Sequence, residues 1–319
     1  VKGAPERLLG MCQEQAKGDQ SVPLDRGYWQ EAANQIAGQG QRVLALAHAD
    51  TTADTLTPEM LTDNLCLMGL VGLMDPPRSE AISAIAECHD AGIAVKMITG
   101  DHAGTAAAIG RQIGLKHADQ VLTGDDIEQL SDADLAQAVM GTNIFARTSP
   151  EHKLRLVSAL EAQGLTVAMT GDGVNDAPAL KRADAGVAMG IKGSDAAKSA
   201  AELVLTDDNF ASIAAAVREG RTVFDNLRKV ISWTLPTNAG EAGTIIAALL
   251  LGLSLPISPV QILWVNLITA VTLGLALAFE PTEPGTMKRA PRPRSAPLLG
   301  GQLVWQVLFV GGLFTAAVF

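Results

Sequence analysis

Little in this chain is aromatic, basic or sulfur-bearing. Only 4% of its 319 residues are aromatic, with one Tyr beside seven Phe and four Trp. Apolar residues still reach 48%, so Ala, Leu and Val carry the hydrophobic content, which suits a chain that is partly membrane. Lys and Arg number 24 against 34 Asp and Glu, giving a net charge of -10. That balance argues against nucleic acid as a partner. The three cysteines, Cys12, Cys66 and Cys88, lie far apart and form no C-x-x-C. Neither a zinc site nor a disulfide framework is suggested, and they read as reduced, structural residues of a cytosolic region. No signal peptide opens the chain. Val1 is not an initiator methionine and Phe319 stops inside an apolar run, so both ends are expected to be cut. The length allows two or three domains.

Charge is missing in one place above all. From Val230 to Phe279 the only charged side chain is Glu241. Such a span holds two transmembrane helices of about 20 residues each. Pro256 and Pro259 end a helix between them, so the helices are expected near Ile231–Leu253 and Val260–Phe279, joined by a tight turn. The loop Glu280–Leu299 carries Lys288, Arg289, Arg292 and Arg294 and is cytoplasmic by the positive-inside rule. Gly300–Phe319 reads as the start of a third span. The rival reading is two buried helices of a large soluble core. Within the first span Asn238 and Glu241 are three apart on one face, just after the helix-loosening Pro236. Asn266 and Thr269 are three apart on the second. Together they offer an oxygen-rich cluster suited to a hard cation. The alternative for Asn266 and Thr269 is hydrogen-bonded glue between helices.

The most informative run is Met169-Thr170-Gly171-Asp172-Gly173-Val174-Asn175-Asp176-Ala177-Pro178-Ala179-Leu180-Lys181. It sets two carboxylates on a loop between an apolar strand and a helix, with Gly171 and Gly173 expected to let the backbone turn and to leave room for a ligand. Hard oxygens with little bulk around them suit Mg2+ shared with a phosphate; a solvated Asp-Gly turn is the bland alternative. From about Leu65 to Leu205, short apolar runs alternate with amphipathic stretches. Leu67–Met74, Ala94–Ile98, Asn143–Ala146, Leu165–Met169 and Ala185–Ala188 read as strands. Ser79–Ala91, His102–Ile113, Pro150–Gln163 and Ala177–Ala183 read as helices. The alternation implies a parallel α/β sheet with ligands at the strands' carboxyl ends. Three clusters fall at such ends: Thr99-Gly100-Asp101, the Asp172/Asp176 loop, and Arg147-Thr148-Ser149-Pro150-Glu151-His152-Lys153. Thr99 can hydrogen-bond a phosphoryl oxygen, and Lys153 can neutralise its charge. That inventory matches phosphoryl transfer. An N-cap explains Thr99-Gly100-Asp101 alone as well, and Lys153 alone reads as a surface lysine. No strand-end Asp in a D-x-T or D-K-T-G setting occurs, so the phosphate cradle lacks an evident nucleophile.

These residues resemble those of type II P-type cation-transporting ATPases, over essentially the whole chain. Lys2-Gly3-Ala4-Pro5-Glu6 resembles that family's nucleotide-domain K-G-A-P-E motif, and Arg42–Ala47 its R-x-L-A-x-A segment. Asp75-Pro76-Pro77-Arg78 resembles the hinge between nucleotide and phosphorylation domains. Thr99-Gly100-Asp101 and Thr170–Lys181 are similar to the two signature loops of the haloacid-dehalogenase-like phosphorylation domain. The resemblance implies a partial nucleotide-binding domain over 1–70, an α/β phosphorylation domain with a parallel sheet over 71–208, and a stalk helix over 209–230. An α-helical transmembrane bundle over 231–319 would resemble the family's helices five, six and the start of seven.

The resemblance also implies roles. ATP would be contacted by Lys2 and Arg42, with Arg78 at the hinge and Gly100, Asp101 and Arg147 on the nucleotide side. Thr99 and Lys153 would hold an aspartyl phosphate, Asp172 would bind Mg2+ and Asp176 would support it. Asn238, Glu241, Asn266 and Thr269 would bind the transported cation. The implied setting is a multi-pass protein of a lipid bilayer, expected to be a prokaryotic plasma membrane. The Asp-Lys-Thr-Gly-Thr segment, the actuator domain and helices one to four would belong to a missing N-terminal part. Family calcium pumps usually carry Asp where Ala270 stands. One carboxylate fewer weakens a divalent site, leaving Ca2+ or a monovalent ion such as Na+ open. Two rivals stay open: a soluble phosphatase of the same fold, and an inactive ATP-sensing membrane module.

Overall fold

The computed structural model describes residues 1–18, 20–50, 65–73 and 76–319. The chain divides into two units, Val1–His89 with Ala94–Ala211, and Asp90–Ile93 with Ser212–Phe319.

A sheet that the apolar pattern had not announced opens the first unit. Its elements are β1 (Lys2–Gly3), α1 (Pro5–Met11), β2 (Cys12–Lys17), β3 (Gln20–Pro23), α2 (Arg26–Gly38), β4 (Arg42–His48) and β5 (Leu65–Leu73). The strands lie in the order β1-β4-β5-β2-β3. Only β2 and β5 run parallel; the other pairs are antiparallel. Leu8, Leu9, Cys12, Ala45, Ala47, Leu65 and Leu67 form its core. The strand expected at 67–74 is β5, with Met74 outside the described residues. It does not join the parallel series: its partners are Arg42–His48 and β2. An apolar run does not say which neighbour a strand finds, and only Leu65, Cys66 and Leu67 of β5 are buried.

The alternation follows: α3 (Ser79–Asp90), β6 (Met97–Ile98), α4 (Ala103–Gln112), β7 (Val121–Thr123), α5 (Gly124–Gln129), α6 (Asp132–Gly141), β8 (Ile144–Ala146), α7 (Pro150–Ala162), β9 (Ala168–Gly171), α8 (Ala177–Arg182), β10 (Ala185–Met189), α9 (Asp195–Ala200) and β11 (Leu203–Leu205). Of these, β7, α5, α6, α9 and β11 are additions to the expected elements, and the strand expected at Leu165–Met169 lies at Ala168–Gly171. All these strand pairs are parallel. They form two sheets rather than one, β6-β8-β7 and β11-β10-β9. The single sheet expected from the pattern is thus corrected. β6 keeps only Met97 and Ile98 because only these two have ladder partners in β8. Phe145, Ile127, Leu135, Val139 and Leu156 fill one core; Met169, Leu180, Ala188 and Val157 fill another.

The second unit is helical. α10 (Phe210–Leu251) runs unbroken for 42 residues with Pro236 inside it. It is followed by α11 (Pro259–Thr269), a π-helical turn (Ala270–Gly274), α12 (Leu275–Ala278) and α13 (Gly301–Val318). Ser258 and Gln261 close a capping box at the start of α11. Among the described residues, Pro259–Ala278 and Gly301–Val318 are long and apolar enough to cross a membrane. The expected stalk, 209–230, and the expected first span, Ile231–Leu253, lie in one continuous helix, α10, as the run of one into the other implied. Thr234, Thr237, Asn238 and Glu241 dilute the apolar character of that span.

The basic loop after α12 folds back on α10. Asn226 Nδ2 donates to the carbonyls of Ala278 (3.2 Å) and Glu280 (2.7 Å). Lys229 reaches Glu280 (2.9 Å) and Glu283 (2.5 Å), and bonds from Glu283 and then Glu280 raise its pKa. The Arg221 guanidinium donates to the carbonyls of Thr286, Arg289 and Ala91, each at 2.9 Å, and Arg289 pairs with Asp225.

In the first unit, Lys96 precedes β6 and caps the far end of α6. Its Nζ donates to the carbonyls of Val139 (2.6 Å) and Thr142 (2.7 Å) and to Asn143 Oδ1 (3.0 Å), where the helix dipole favours a cation. Burial nonetheless pushes its pKa below the ordinary 10.5. Between the lowered folded value and 10.5 the unfolded chain holds a proton that the folded chain has released. Stability therefore rises with pH across that window. Lys96→Met is expected to remove the rise, read as urea midpoints from neutrality to about pH 10.5.

Candidate functional site

Among the described residues, Asp176 is the one buried acid. It is 6% exposed. Its Oδ1 accepts from Lys153 Nζ at 2.6 Å, and its Oδ2 accepts the backbone N–H groups of Asp172 (3.2 Å) and Gly173 (3.1 Å). β9 delivers the loop and the short α8 carries it away. Neither Gly171 nor Gly173 has a positive φ, so the expected sharp turn is not what requires glycine. A Cβ on Gly171 would fall on the Asp176 side chain; the residue is small to leave that acid room. With Asp176 committed, Asp172 projects an exposed carboxylate, while its carbonyl accepts the Ser194 N–H at 2.7 Å.

Thr99 follows β6. Its Oγ1 donates to Asp101 Oδ2 and accepts the Asp101 N–H, both at 3.1 Å. Its carbonyl accepts both the N–H and the Oγ1 of Thr148, at 3.2 Å each. Thr148 leads into α7, whose first turn carries Lys153. Thr99 and Lys153 are therefore linked through one helix start: Thr148 grips the Thr99 loop, and Lys153 grips Asp176. No group of three His, Cys, Asp or Glu residues able to cage a metal exists among the described residues. The donor set is one free carboxylate, Asp172, beside a bound one. That suits Mg2+, which keeps several waters and takes one or two carboxylates plus a phosphate.

A cleft of about 230 Å3 lies beside this cluster, lined by Glu6, Arg42, Gly100, Asp101, His102 and Arg147 among others. Arg147 sits at φ 51°, a conformation that costs a non-glycine residue about 1 kcal/mol or more. Its guanidinium reaches Glu6 at 3.0 Å. The cleft is smaller than the roughly 300–1,000 Å3 usual for a small-molecule pocket. Lys2 is exposed on β1, paired with Leu46, and does not line the cleft; nor does Arg78, exposed before α3. Asp75, of the expected hinge, lies outside the described residues. Glu6 and His102 had no assigned part in the sequence, although Glu6 belongs to the Lys2–Glu6 motif.

In the second unit, Asn266 Nδ2 donates to Glu241 Oε2 at 2.9 Å. Both line a cavity of about 920 Å3, with Thr237, Thr244, Gln261 and Thr269. Thr269 turns its Oγ1 proton onto the Val265 carbonyl (2.7 Å), leaving its oxygen as an acceptor. Asn238 is exposed and absent from the lining. The helical signal was there: Thr237, Glu241 and Thr244 recur at i, i+4 and i+7, the spacing of one face.

A family model described as "haloacid dehalogenase-like hydrolase" matches residues 11–184, and a second so described matches 154–217. One described as "Cation transporting ATPase, C-terminus" matches 254–319. The chain is 53% identical to a "Probable cation-transporting ATPase F" of Mycobacterium tuberculosis, covering 99% of this chain and 36% of that protein. It is 48% identical to the "Cation-transporting ATPase pma1" of a Synechocystis species, over 97% of this chain and 35% of that one. It is 44% identical to the "Calcium-transporting ATPase 1" of Bacillus cereus, over 100% and 37%. The chain thus spans little more than a third of the length of these relatives.

Removing the cation from the Asp176 pair tests the geometry directly. Lys153→Met is expected to lower stability by about 3 kcal/mol, because it strands a buried carboxylate. Adding Asp176→Asn is expected to recover much of that loss, read as denaturation midpoints of the single and double variants.

Proposed function

Because the chain belongs to the haloacid dehalogenase-like hydrolases, in the branch of the P-type cation-transporting ATPases, we propose that it works within an ATP-driven pump. The pump moves a metal cation across a membrane through an aspartyl-phosphate intermediate. The observation that carries this reading is Glu241 bound by Asn266 in a largely apolar cavity, on the same chain as the Lys153–Asp176–Asp172 arrangement. An acid on an apolar helix is costly unless a cation or donor meets it. Phosphoryl transfer needs what the other cluster offers: positioned donors and fixed positive charge.

Thr99 donates its hydroxyl to the phosphoryl group, which requires it to leave Asp101. Lys153 neutralises phosphoryl charge from its place on Asp176. Asp172 holds Mg2+, which supplies further charge neutralisation when bound. Arg42 and Arg147 meet the nucleotide from the cleft, joined by Gly100 and Asp101; Lys2 and Arg78 act outside it. The aspartyl nucleophile, the actuator domain and the first four helices come from sequence beyond these 319 residues. We read 1–70 as part of the nucleotide domain, 71–208 as the phosphorylation domain, 209–230 as the stalk and 231–319 as spans of a multi-pass plasma-membrane protein. Glu241, Asn266 and Thr269 are the cation ligands, with Asn238 on the neighbouring exposed strip. With Ala270 adding no second acid, the cargo is Ca2+ held with one carboxylate fewer, or a monovalent ion such as Na+.

The test is phosphorylation of the transporter containing this chain by labelled ATP, across Ca2+, Na+, K+ and Mn2+. Labelling that depends on micromolar Ca2+ or on millimolar Na+ names the cargo; labelling indifferent to every cation overturns the pump. Glu241→Ala is expected to abolish the cation dependence while ATP still binds. Asp172→Ala is expected to cut phosphoryl transfer at least ~100-fold with nucleotide affinity retained.

A further inference from the structure

His152 is a buried imidazole that the reading above leaves without a task. It is 6% exposed and stands one residue before Lys153. Ser149 donates its N–H to Nδ1 at 3.2 Å, and the His152 N–H returns to Ser149 Oγ at 3.3 Å. A backbone N–H can only donate, so Nδ1 is the acceptor. The ring proton is then on Nε2, which meets Glu128 Oε1 at 3.2 Å. The ring is also walled in. A Cβ on Gly124, the first residue of α5, would lie 3.0 Å from Cε1 and Nδ1.

We propose that His152 is a positioning residue for phosphoryl transfer, a clip that fixes the start of α7 through Ser149. The proposal rests on the phosphoryl-transfer reading. Ser149 is the joint between the two halves of the site. Its carbonyl accepts the Lys153 N–H at 3.2 Å, and the residue before it, Thr148, holds the Thr99 carbonyl. Releasing Ser149 lets Lys153 and Thr99 shift relative to each other without removing either. Misplacement on this scale costs rate rather than ground-state binding. Glu128 holds only the outer nitrogen and is largely exposed (68%), so it matters less than the cap.

The experiment uses the transporter containing this chain, as His152→Leu, His152→Asn and Glu128→Ala. Turnover, the KM for ATP and amide exchange over residues 149–153 are measured for each. Leu cannot accept the Ser149 N–H. Its turnover is expected to fall roughly 10- to 100-fold, with KM unchanged and exchange at Lys153 faster. Asn can present Oδ1 where Nδ1 stood, and is expected to recover most of the rate and protection. Glu128→Ala is expected to stay within about threefold of the parent. Equal losses for Leu and Asn, or a Leu variant with parental turnover, would overturn the proposal. Should Leu fail to fold, a folded Asn variant that loses turnover while Glu128→Ala keeps it would do the same. If exchange follows the expected order while even the parent hydrolyses no ATP, the functional reading fails and the positioning role with it; the clip alone remains.

Discussion

A carboxylate taken out of water must be met from every side or be protonated, and Asp176, the one buried acid among the described residues, meets that condition. A lysine and two backbone N–H groups surround it. Much of the neighbourhood follows from that requirement. Gly171 is small because the acid occupies the volume a side chain would need. The loop from β9 curls so that consecutive N–H groups face one oxygen. Lys153 is drawn inward from a helix start where a lysine would otherwise be solvated, and Asp172 is left turned outward. One satisfied acid thereby creates one available acid.

The alternation of strands and helices after Ser79 was legible because each apolar run is short and bounded by turns. Helix ends came within a residue or two, since Ser149, Pro150 and the caps mark them. What could not be read was pairing. β5 looks like any buried strand, yet its register runs Arg42↔Leu73 to His48↔Cys66, a relation between segments that no local pattern encodes. The split of the parallel strands into two sheets is equally a matter of partners. The short strands at the chain's start escaped notice because β2, with its Gln-Glu-Gln, is polar along most of its length.

The candidate site was legible where chemistry is local and opaque where it depends on rotation or distance. Thr99, Lys153, Asp172 and Asp176 stood out by residue type at strand ends. Glu6 did not: its partner Arg147 is remote in sequence, and an exposed Glu–Arg pair leaves no trace in either segment. In α10, Asn238 drew attention as a polar residue three positions before Glu241. The cavity instead receives Thr237 and Thr244, four before and three after Glu241; an i, i+3 spacing alone did not say which side of the Glu241 stripe faces the cavity.

The π-helical turn at Ala270–Gly274 has a consequence for anyone aligning this segment with another helix. A π turn accommodates one residue more than the α-helix around it, and one α-helical residue is about 100° of rotation. The rest of this helix, Leu275–Ala278, is thus turned by about that angle from where a wheel drawn through Asn266 would put it. Ala270 stands at the point where the two frames part. A position-by-position match to a regular helix therefore holds up to Thr269 and slips after it. The residue standing in space where another protein places an acid need not be the one that shares its column.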